Sequence, residues 1–288
     1  MHIALATNQE YPNLLEGEVL PLEAFSKAGY DAEPAVWNDP SVDWGQFGHI
    51  IIRCCWGYHR KVEEFSSWLD KLGALGVTVH NPPEIVRWNS HKRYLLDLQS
   101  MELPVPETTL VSRSDARPLQ ETSGSLSCDQ VVIKPCYGAS SQGVMKVVRG
   151  ETSEESEAQY RRLLRSSEVL VQEFLPEIAQ GETSAVFFNN HFSHAVVKVP
   201  KTGEFRTNYD LGGTEHAVTL STEQKARVER VYAQCKQDVL YARLDFVETA
   251  KGIRLMELEL IEPYLFFDYQ EGAADGFVKA FEQRIERK

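Results

Sequence analysis

Near the end of the chain, two runs alternate apolar and polar residues with a period of two: YARLDFV (241–247) and GIRLMELELIE (252–262), with TAKG between them. Such alternation marks half-buried strands, whose successive side chains point to opposite faces. Leu244 and Phe246 therefore share one face, while Arg243 and Asp245 share the other. In the second run Leu258 and Leu260 share a face, and Glu257 and Glu259 lie on its reverse. If the runs pair as a hairpin, both apolar sets must meet the same core, because a one-residue slip would mix leucine with carboxylate. Asp245 then stands on the same side as Glu257 and Glu259. Cross-strand neighbours are ~5 Å apart, and two unit charges at that distance repel by roughly 3 kcal/mol at an effective dielectric of about 20. Three such carboxylates need a cation or a raised pKa. Hard oxygen ligands suit Mg²⁺, which completes its shell with water and phosphate oxygens. The alternative is a solvated polar face on which Arg243 offsets part of the charge.

The rest of the chain bears on that choice. With 288 residues and 42% hydrophobic content there is material for one large core or two smaller ones. Lys plus Arg number 30 against 42 Asp plus Glu, so no basic footprint favours a nucleic-acid or membrane-surface partner. The opening MHIALATNQE has neither the basic nor the long apolar segment of a secretory leader and reads as a core strand. The five cysteines form an odd set without CxxC spacing, as expected for reduced thiols of a cytoplasmic protein.

Over the first ~85 residues short apolar strands (HIALAT, HIIIRCCW, VTVH) alternate with amphipathic helical stretches, the pattern of a parallel α/β layer. No GxGxxG or GxxxxGK[ST] follows the first strand, which removes the main support for dinucleotide and P-loop readings. The proline pair of NPPEIVRW marks a boundary; a helix is expected over SHKRYLLDLQSM and a loop over 113–130. Beyond Glu182 antiparallel strands dominate, with Asn189-Asn190 as a tight turn, EFRTNYDLGGTE as a loop and a helix starting at Ser221, boxed by Gln224.

Lys134 ends the strand VVIKP directly before the small-residue loop CYGASSQG, where a lysine beside exposed backbone N–H groups makes a plausible phosphate clamp. Lys198 in HAVVKVP repeats the theme. Each alone reads as an ordinary strand lysine that meets solvent. With the late Asp/Glu cluster they supply the parts of an Mg²⁺–nucleotide site.

The ordered stretches NPPEIVRWNSHKRYLLDL, VVIKPCYGASSQG, VLVQEFLPEIAQGETSAVF, VVKVPKTGEFRTNYDLGGT, ARLDFV and MELELIEP resemble the ATP-grasp superfamily. The branch they resemble includes bacterial glutathione synthetase, the ribosomal-protein glutamate ligase and the cycloserine-forming ligase. The resemblance implies an α/β and α+β architecture: a Rossmann-like pre-ATP-grasp parallel domain (1–88) and an ATP-grasp domain (89–288). The latter divides into a central lobe (89–175) and a C-terminal lobe with the metal site (176–288), the two clamping ATP. It further implies that Lys92, Lys134 and Lys198 meet ATP phosphates and that Gly138, Ser140, Ser141 and Gly143 belong to the loop closing over them. Glu173, Phe174 and Leu175 form the adenine hinge, and Glu182 holds the ribose. Arg243, Arg206 and Asn208 serve the acyl phosphate and the tetrahedral intermediate; Asp245, Glu257 and Glu259 bind Mg²⁺ or Mn²⁺.

Two departures stand out. Glu259 replaces the Asn of the family's E-x-N pattern, adding negative charge at the metal. The loop carries fewer glycines than usual, leaving Ser140 and Ser141 as hydroxyl donors. Arg53 and Tyr58 are candidates for the substrate carboxylate or amine, with a packing arginine and a core-edge tyrosine as the alternative. Glu262 is assigned to the substrate cleft beyond the strand end, or to pairing with an arginine.

The implied activity is ATP-dependent carboxylate–amine ligation through an acyl phosphate, on small-molecule substrates. Such chemistry needs no protein nucleophile, consistent with a sequence lacking a Ser-His-Asp or Cys-His arrangement. An intramolecular cyclising ligase and a nucleotide-binding protein without turnover are the alternatives. A homodimer is compatible with the family.

Overall fold

In a computed structural model, which describes residues 1–139, 141–235 and 237–286, the N-terminal alternation builds a four-stranded parallel sheet. Strands β1 (His2–Thr7), β2 (Asp31–Val36), β3 (His49–Cys54) and β4 (Thr78–His80) lie in the order β2-β1-β3-β4, joined by helices that include α1 (Glu16–Lys27) and α2 (Val62–Leu75). The sequence reading passed over β2, whose Pro34 argues against a strand by propensity. As the edge strand it tolerates proline, because an outward N–H has no ladder bond to lose.

The helix expected over SHKRYLLDLQSM is present but starts later, as α4 (Tyr94–Ser100), and a separate helix, α3 (Pro83–Ser90), occupies the stretch after the proline pair. The break between them has a consequence: the Lys92 N–H donates to the Cys136 carbonyl at 2.8 Å, tying this corner to the end of a distant strand. That strand, β6 (Gln130–Pro135), belongs to a second, antiparallel sheet with β5 (Thr108–Val111), β7 (Met145–Val148) and β8 (Val169–Glu173), in the order β5-β8-β6-β7. Helix α5 (Leu119–Ser123) lies in the stretch expected to be loop, and α6 (Glu154–Ser166) is capped by Ser153.

The third sheet is five-stranded and antiparallel: β9 (Glu182–Phe188), β10 (His191–Val199), β11 (Thr214–Val218), β12 (Tyr241–Thr249) and β13 (Gly252–Glu259), ordered β11-β10-β9-β12-β13. The β9–β10 turn places Asn189 and Asn190 at φ +46° and +68°, the left-handed pair that an Asn-Asn hairpin turn supplies. β11 begins within the last two residues of the loop expected over EFRTNYDLGGTE. Before α7 (Thr222–Cys235), the Ser221 N–H donates to Gln224 at 2.9 Å and the Gln224 N–H to Ser221 Oγ at 3.2 Å, the expected capping box.

The first and third sheets share a core. Ile3, Leu5, Phe25 and Ile51 pack with Val186, Val196 and the C-terminal helix α8 (Ala273–Ile285), chiefly Phe277 and Phe281. A buried clamp reinforces the junction: Asn81 accepts from the Leu240 N–H at 2.8 Å and donates to the carbonyls of Tyr241 and Leu260 at 2.8 and 2.7 Å. Among the described residues no helix is long and apolar enough to cross a membrane.

Candidate active site

The closing hairpin has the register that parity requires. Asp245 lies opposite Glu257 and Arg243 opposite Glu259, so the four charged groups share one face; the register shifts only past Asp245, where Phe246 pairs with Leu255. On the other flank of β12, β9 sets Ser184 opposite Asp245, and β10 sets Lys198 opposite Glu182. One sheet face thus gathers charges from four adjacent strands.

This face is buried at Asp245 and Arg243 and only partly open at Glu257 and Glu259. Asp245 is 2% exposed and takes four contacts: Arg243 Nε and Nη2 donate at 2.9 Å each, Ser184 Oγ donates at 2.7 Å, and Lys198 Nζ lies at 3.1 Å. Burial opposes its ionisation, but Arg243 and Lys198 outweigh burial and hold the carboxyl well below its ordinary range. Lys198 Nζ also meets Glu182 at 2.7 Å, and its pKa rises because these two carboxylates overcome its burial. Arg243 reaches further, donating from Nη2 to Glu259 at 2.5 Å and from Nη1 to the Tyr264 carbonyl at 3.1 Å.

Across the hairpin, Glu257 receives Lys92 Nζ at 2.7 Å and faces Lys134 Nζ at 3.6 Å. The two ammoniums outweigh burial and keep Glu257 at about 2. Lys92, the nearer partner, has its pKa raised; Lys134, 6% exposed and farther off, is pushed down by burial. Glu259 goes the other way, raised to about 7 by burial, with Asp245 and Glu257 adding to it against the pull of Arg243. The sequence argument required a cation or a raised pKa; the protein uses its own cations and one raised pKa.

Among the described residues no three acidic, His or Cys side chains stand together as a ready metal cage. The three carboxylates expected as metal ligands share a face, yet Arg243 sits between Asp245 and Glu259, and Lys92 holds Glu257. In donor chemistry the set fits Mg²⁺: hard carboxylate oxygens beside lysines that phosphate oxygens attract.

Other expected residues fall around this face or away from it. Ser141 Oγ donates to Asn208 Oδ1 at 2.7 Å, and Arg60 Nη2 donates to Gln142 at 2.8 Å, so the small-residue loop touches both the C-terminal lobe and the first sheet's rim. Gly138 and Gly143 bound this loop, and Gly143 needs its freedom: at φ +75° a Cβ would also lie 2.8 Å from Leu163. Ser140 lies outside the described residues. Arg206 is paired with Glu204 at 2.7 Å and does not join Arg243. At the hinge, Glu173 is paired with Arg254 at 2.7 Å, the Phe174 ring lies under Lys146, and Leu175 is buried.

Arg53 takes the packing alternative. It is fully buried, its fork donates to both Glu18 oxygens at 2.8 Å, and Nη2 also reaches the Pro263 carbonyl at 2.7 Å. Tyr58 packs on Phe65 in the first sheet's core, with ring centroids 4.7 Å apart. Glu262 is 9% exposed, and burial, then Glu259, push it up to about 8.

Sequence reasoning missed Ser184, Glu18 and Asn89. Asn89 donates to the Leu258 carbonyl at 2.7 Å and accepts from the Leu260 N–H at 2.8 Å, occupying the free edge of β13 that carries Glu257 and Glu259. Ser184 is legible in hindsight, two positions from Glu182 and so on its face; Glu18 and Asn89 carry no local signal.

Comparison with known proteins agrees with this geometry. Residues 96–266, more than half of the chain, match the family model of the prokaryotic glutathione synthetase ATP-grasp domain. Residues 3–81 match that of the D-cycloserine synthetase DcsG N-terminal domain. The cycloserine biosynthesis protein DcsG of Streptomyces lavendulae is 29% identical over 92% of this chain and 92% of its own length. Glutathione synthetase of Synechococcus elongatus is 30% identical over 60% of this chain and 51% of its own. The crystal structure of D-cycloserine synthetase DcsG superposes with a TM-score of 0.86 at 26% identity, covering 99% of each chain. D-alanine–D-alanine ligase from Bacillus anthracis complexed with ATP shares the fold, with a TM-score of 0.67 at 14% identity over the full length of both chains. The chain belongs to the ATP-grasp family of the prokaryotic glutathione synthetases.

Proposed function

We propose that this ATP-grasp ligase joins a small carboxylate to an amine, activating the carboxyl group as an acyl phosphate with release of ADP. One observation carries the reading: Lys92, Lys134, Lys198 and Arg243 are interleaved with Glu182, Asp245, Glu257 and Glu259 in one largely buried cluster, with Lys92 and Lys134 brought to the third sheet's face from outside it. Burying this much charge adds little stability that apolar packing would not supply, because desolvation offsets the attraction within each pair, so a cluster of this kind points to use.

In this reading the lysines exchange carboxylate partners for nucleotide phosphates. Asp245, Glu257 and Glu259 are then the residues to hold Mg²⁺, which neutralises charge on the phosphates when bound. Arg243, with donors aimed along the hairpin face, receives charge that develops on the acyl oxygen. Asn208 fixes the loop through Ser141. Glu182 is the candidate for the ribose hydroxyls and residues 173–175 for the adenine. No side chain is asked to attack the substrate; catalysis is positioning and charge neutralisation.

The test is ADP release with Mg–ATP over a panel of acids and amines, singly and in pairs. ADP appearing only with a particular acid–amine pair supports ligation; none with any pair, despite nucleotide binding, removes it. A second reading, intramolecular cyclisation, is favoured by the likeness to DcsG, which spans the N-terminal region as well as the ATP-grasp lobes. A cyclase releases ADP with one substrate alone.

A further inference from the structure

His59 stands beside the charged cluster with one ring nitrogen unused. Its Nδ1 is buried and, among the described residues, has no hydrogen-bond partner, although the ring as a whole is only half-buried. A buried polar atom in that condition has given up water for nothing, a cost that asks for a reason. The Trp68 indole N–H is stranded too, but it is packed among Trp37, Trp44 and Phe65 inside the first sheet's core.

His59 is positioned by its backbone, not by its ring. It lies in a single 3₁₀ turn (Tyr58–Arg60) just past β3, entered through Gly57 at φ +92°. The Arg60 N–H donates to the Gly57 carbonyl at 3.0 Å and the Lys61 N–H to the Tyr58 carbonyl at 2.8 Å. Upstream, Asn8 Nδ2 donates to the Trp56 carbonyl at 2.8 Å, and Trp56 Nε1 donates to the Glu262 carbonyl at 3.0 Å. The turn is thereby tied both to β1 and to the segment that follows the hairpin. Support of this kind preorganises a side chain that holds no contact of its own.

The segments that bear the phosphate-side lysines converge on the same turn. Arg60 Nη2 donates to Gln142 of the small-residue loop at 2.8 Å. Tyr58 lines a cavity of about 170 Å³ together with Val86, Ser90 and Tyr137. Ser90 lies two positions before Lys92, and Tyr137 three positions after Lys134. The charges that act on the His59 ring are Arg60 from its own turn and Lys92 from the break between α3 and α4, with no carboxylate among them. Burial, then these two cations, push its pKa below the ordinary histidine value, so the ring is neutral at neutral pH. In the tautomer with its proton on Nε2, the stranded Nδ1 presents a lone pair.

We propose that His59 is the general base of the amide-forming step, its Nδ1 taking the proton from the nitrogen that attacks the acyl phosphate. The proposal rests on the ligase reading and deepens it. As the amine nitrogen bonds to the acyl carbon, the C–O bond to phosphorus-bearing oxygen breaks and phosphate leaves with that electron pair. One N–H proton passes to Nδ1. The imidazolium returns to neutral by releasing a proton to solvent, and the departing phosphate takes one up, so no net proton is made. An acyl phosphate brings anionic oxygens among Arg60 and Lys92, which raises the basicity of the ring once the intermediate is in place. A ring held neutral by its neighbours is poorly suited to the rival role, a cationic clamp on phosphate.

The test compares wild type with His59→Gln and His59→Ala, using the substrate or acid–amine pair that releases ADP in the panel. Because Nδ1 has no partner to strand, both variants should melt like wild type. Mg–AMPPNP affinity and KM for the acid should stay within about threefold, while kcat falls by about 100-fold or more. Ligation needs the unprotonated ring, so wild-type kcat should decline as pH drops, and that acid-side decline should vanish in the variants. Hydroxylamine is already a free base at neutral pH and sheds its proton readily. It should trap the acyl phosphate as a hydroxamate at a similar rate in wild type and variants, since the first step does not use His59. A merely structural role would slow trapping and ligation alike. Wild-type kcat in folded variants overturns the proposal, as do equal losses in trapping and ligation, or lost Mg–AMPPNP affinity. A lowered melting temperature in both variants also overturns it, by showing that the ring serves packing. A wild type that releases no ADP with any substrate removes the ligase reading and this proposal together.

Discussion

Arg53 and Glu18 offer a direct test of whether the buried charge beneath the site is scaffold or substrate contact. Both side chains are fully buried and joined by two N–H···O bonds of 2.8 Å, and Glu18 also accepts from the Leu265 N–H at 3.2 Å. Glu18→Ala leaves a guanidinium sealed in the core with only the Pro263 and Ile52 carbonyls, at 2.7 and 3.4 Å. Breaking such a pair on one side costs about 3–5 kcal/mol. For a chain of 288 residues, unfolding entropy of about 2.1 cal/mol/K per residue comes to about 0.6 kcal/mol/K, so the melting temperature should fall by about 5–8 °C. The double variant Glu18→Leu/Arg53→Met should recover most of that loss, since replacing both ions with apolar groups is close to neutral. Thermal melts by circular dichroism provide the readout, with KM for the acid substrate measured on the double variant. A double variant no more stable than Glu18→Ala would contradict the scaffold account. So would an Arg53→Met protein that melts like wild type but loses the acid substrate, which would restore Arg53 to the substrate.

Lys134→Ala should weaken ATP binding by about 10-fold or more, read by calorimetry, if its ammonium meets the phosphates as proposed. Arg243→Ala should lower turnover by about 100-fold while nucleotide affinity changes little; wild-type turnover would remove its assigned role. Glu259→Asn, which restores the residue of the resembled E-x-N pattern, should preserve ADP release but, under the proposed metal role, raise the Mg²⁺ concentration needed for half-maximal rate. Asn81→Ala should cost about 3 kcal/mol in a melt, because it strands the buried backbone groups of Leu240, Tyr241 and Leu260.

What could be read beforehand was local or periodic. The hairpin register followed from the alternation of Leu244, Leu258 and Leu260 with Asp245, Glu257 and Glu259, since a slip would have buried charge against leucine. The Asn189-Asn190 turn and the Ser221–Gln224 box were visible because their chemistry is contained within a few residues. What escaped was set by tertiary context. Pro34 concealed an edge strand, and at the helix break over 91–93 the Lys92 N–H meets the Cys136 carbonyl, a partner far along the chain. Arg53 stayed open between substrate contact and packing because its partner Glu18 is 35 positions away on a helix. Asn81 and Asn89 hold β12 and β13 across more than 150 residues, a relation no window of sequence contains.

The account turns on whether Asp245, Glu257 and Glu259 release their lysine and arginine partners to a divalent ion bearing nucleotide phosphates. A crystal grown with Mn²⁺ and AMPPNP measures this directly through the anomalous signal of the metal. The account predicts a peak within coordination distance of at least two of the three carboxylates, with Lys92 and Lys134 turned onto phosphate oxygens. Bound nucleotide with no peak on that face, and the ion pairs of Arg243 and Lys92 unchanged, would contradict it.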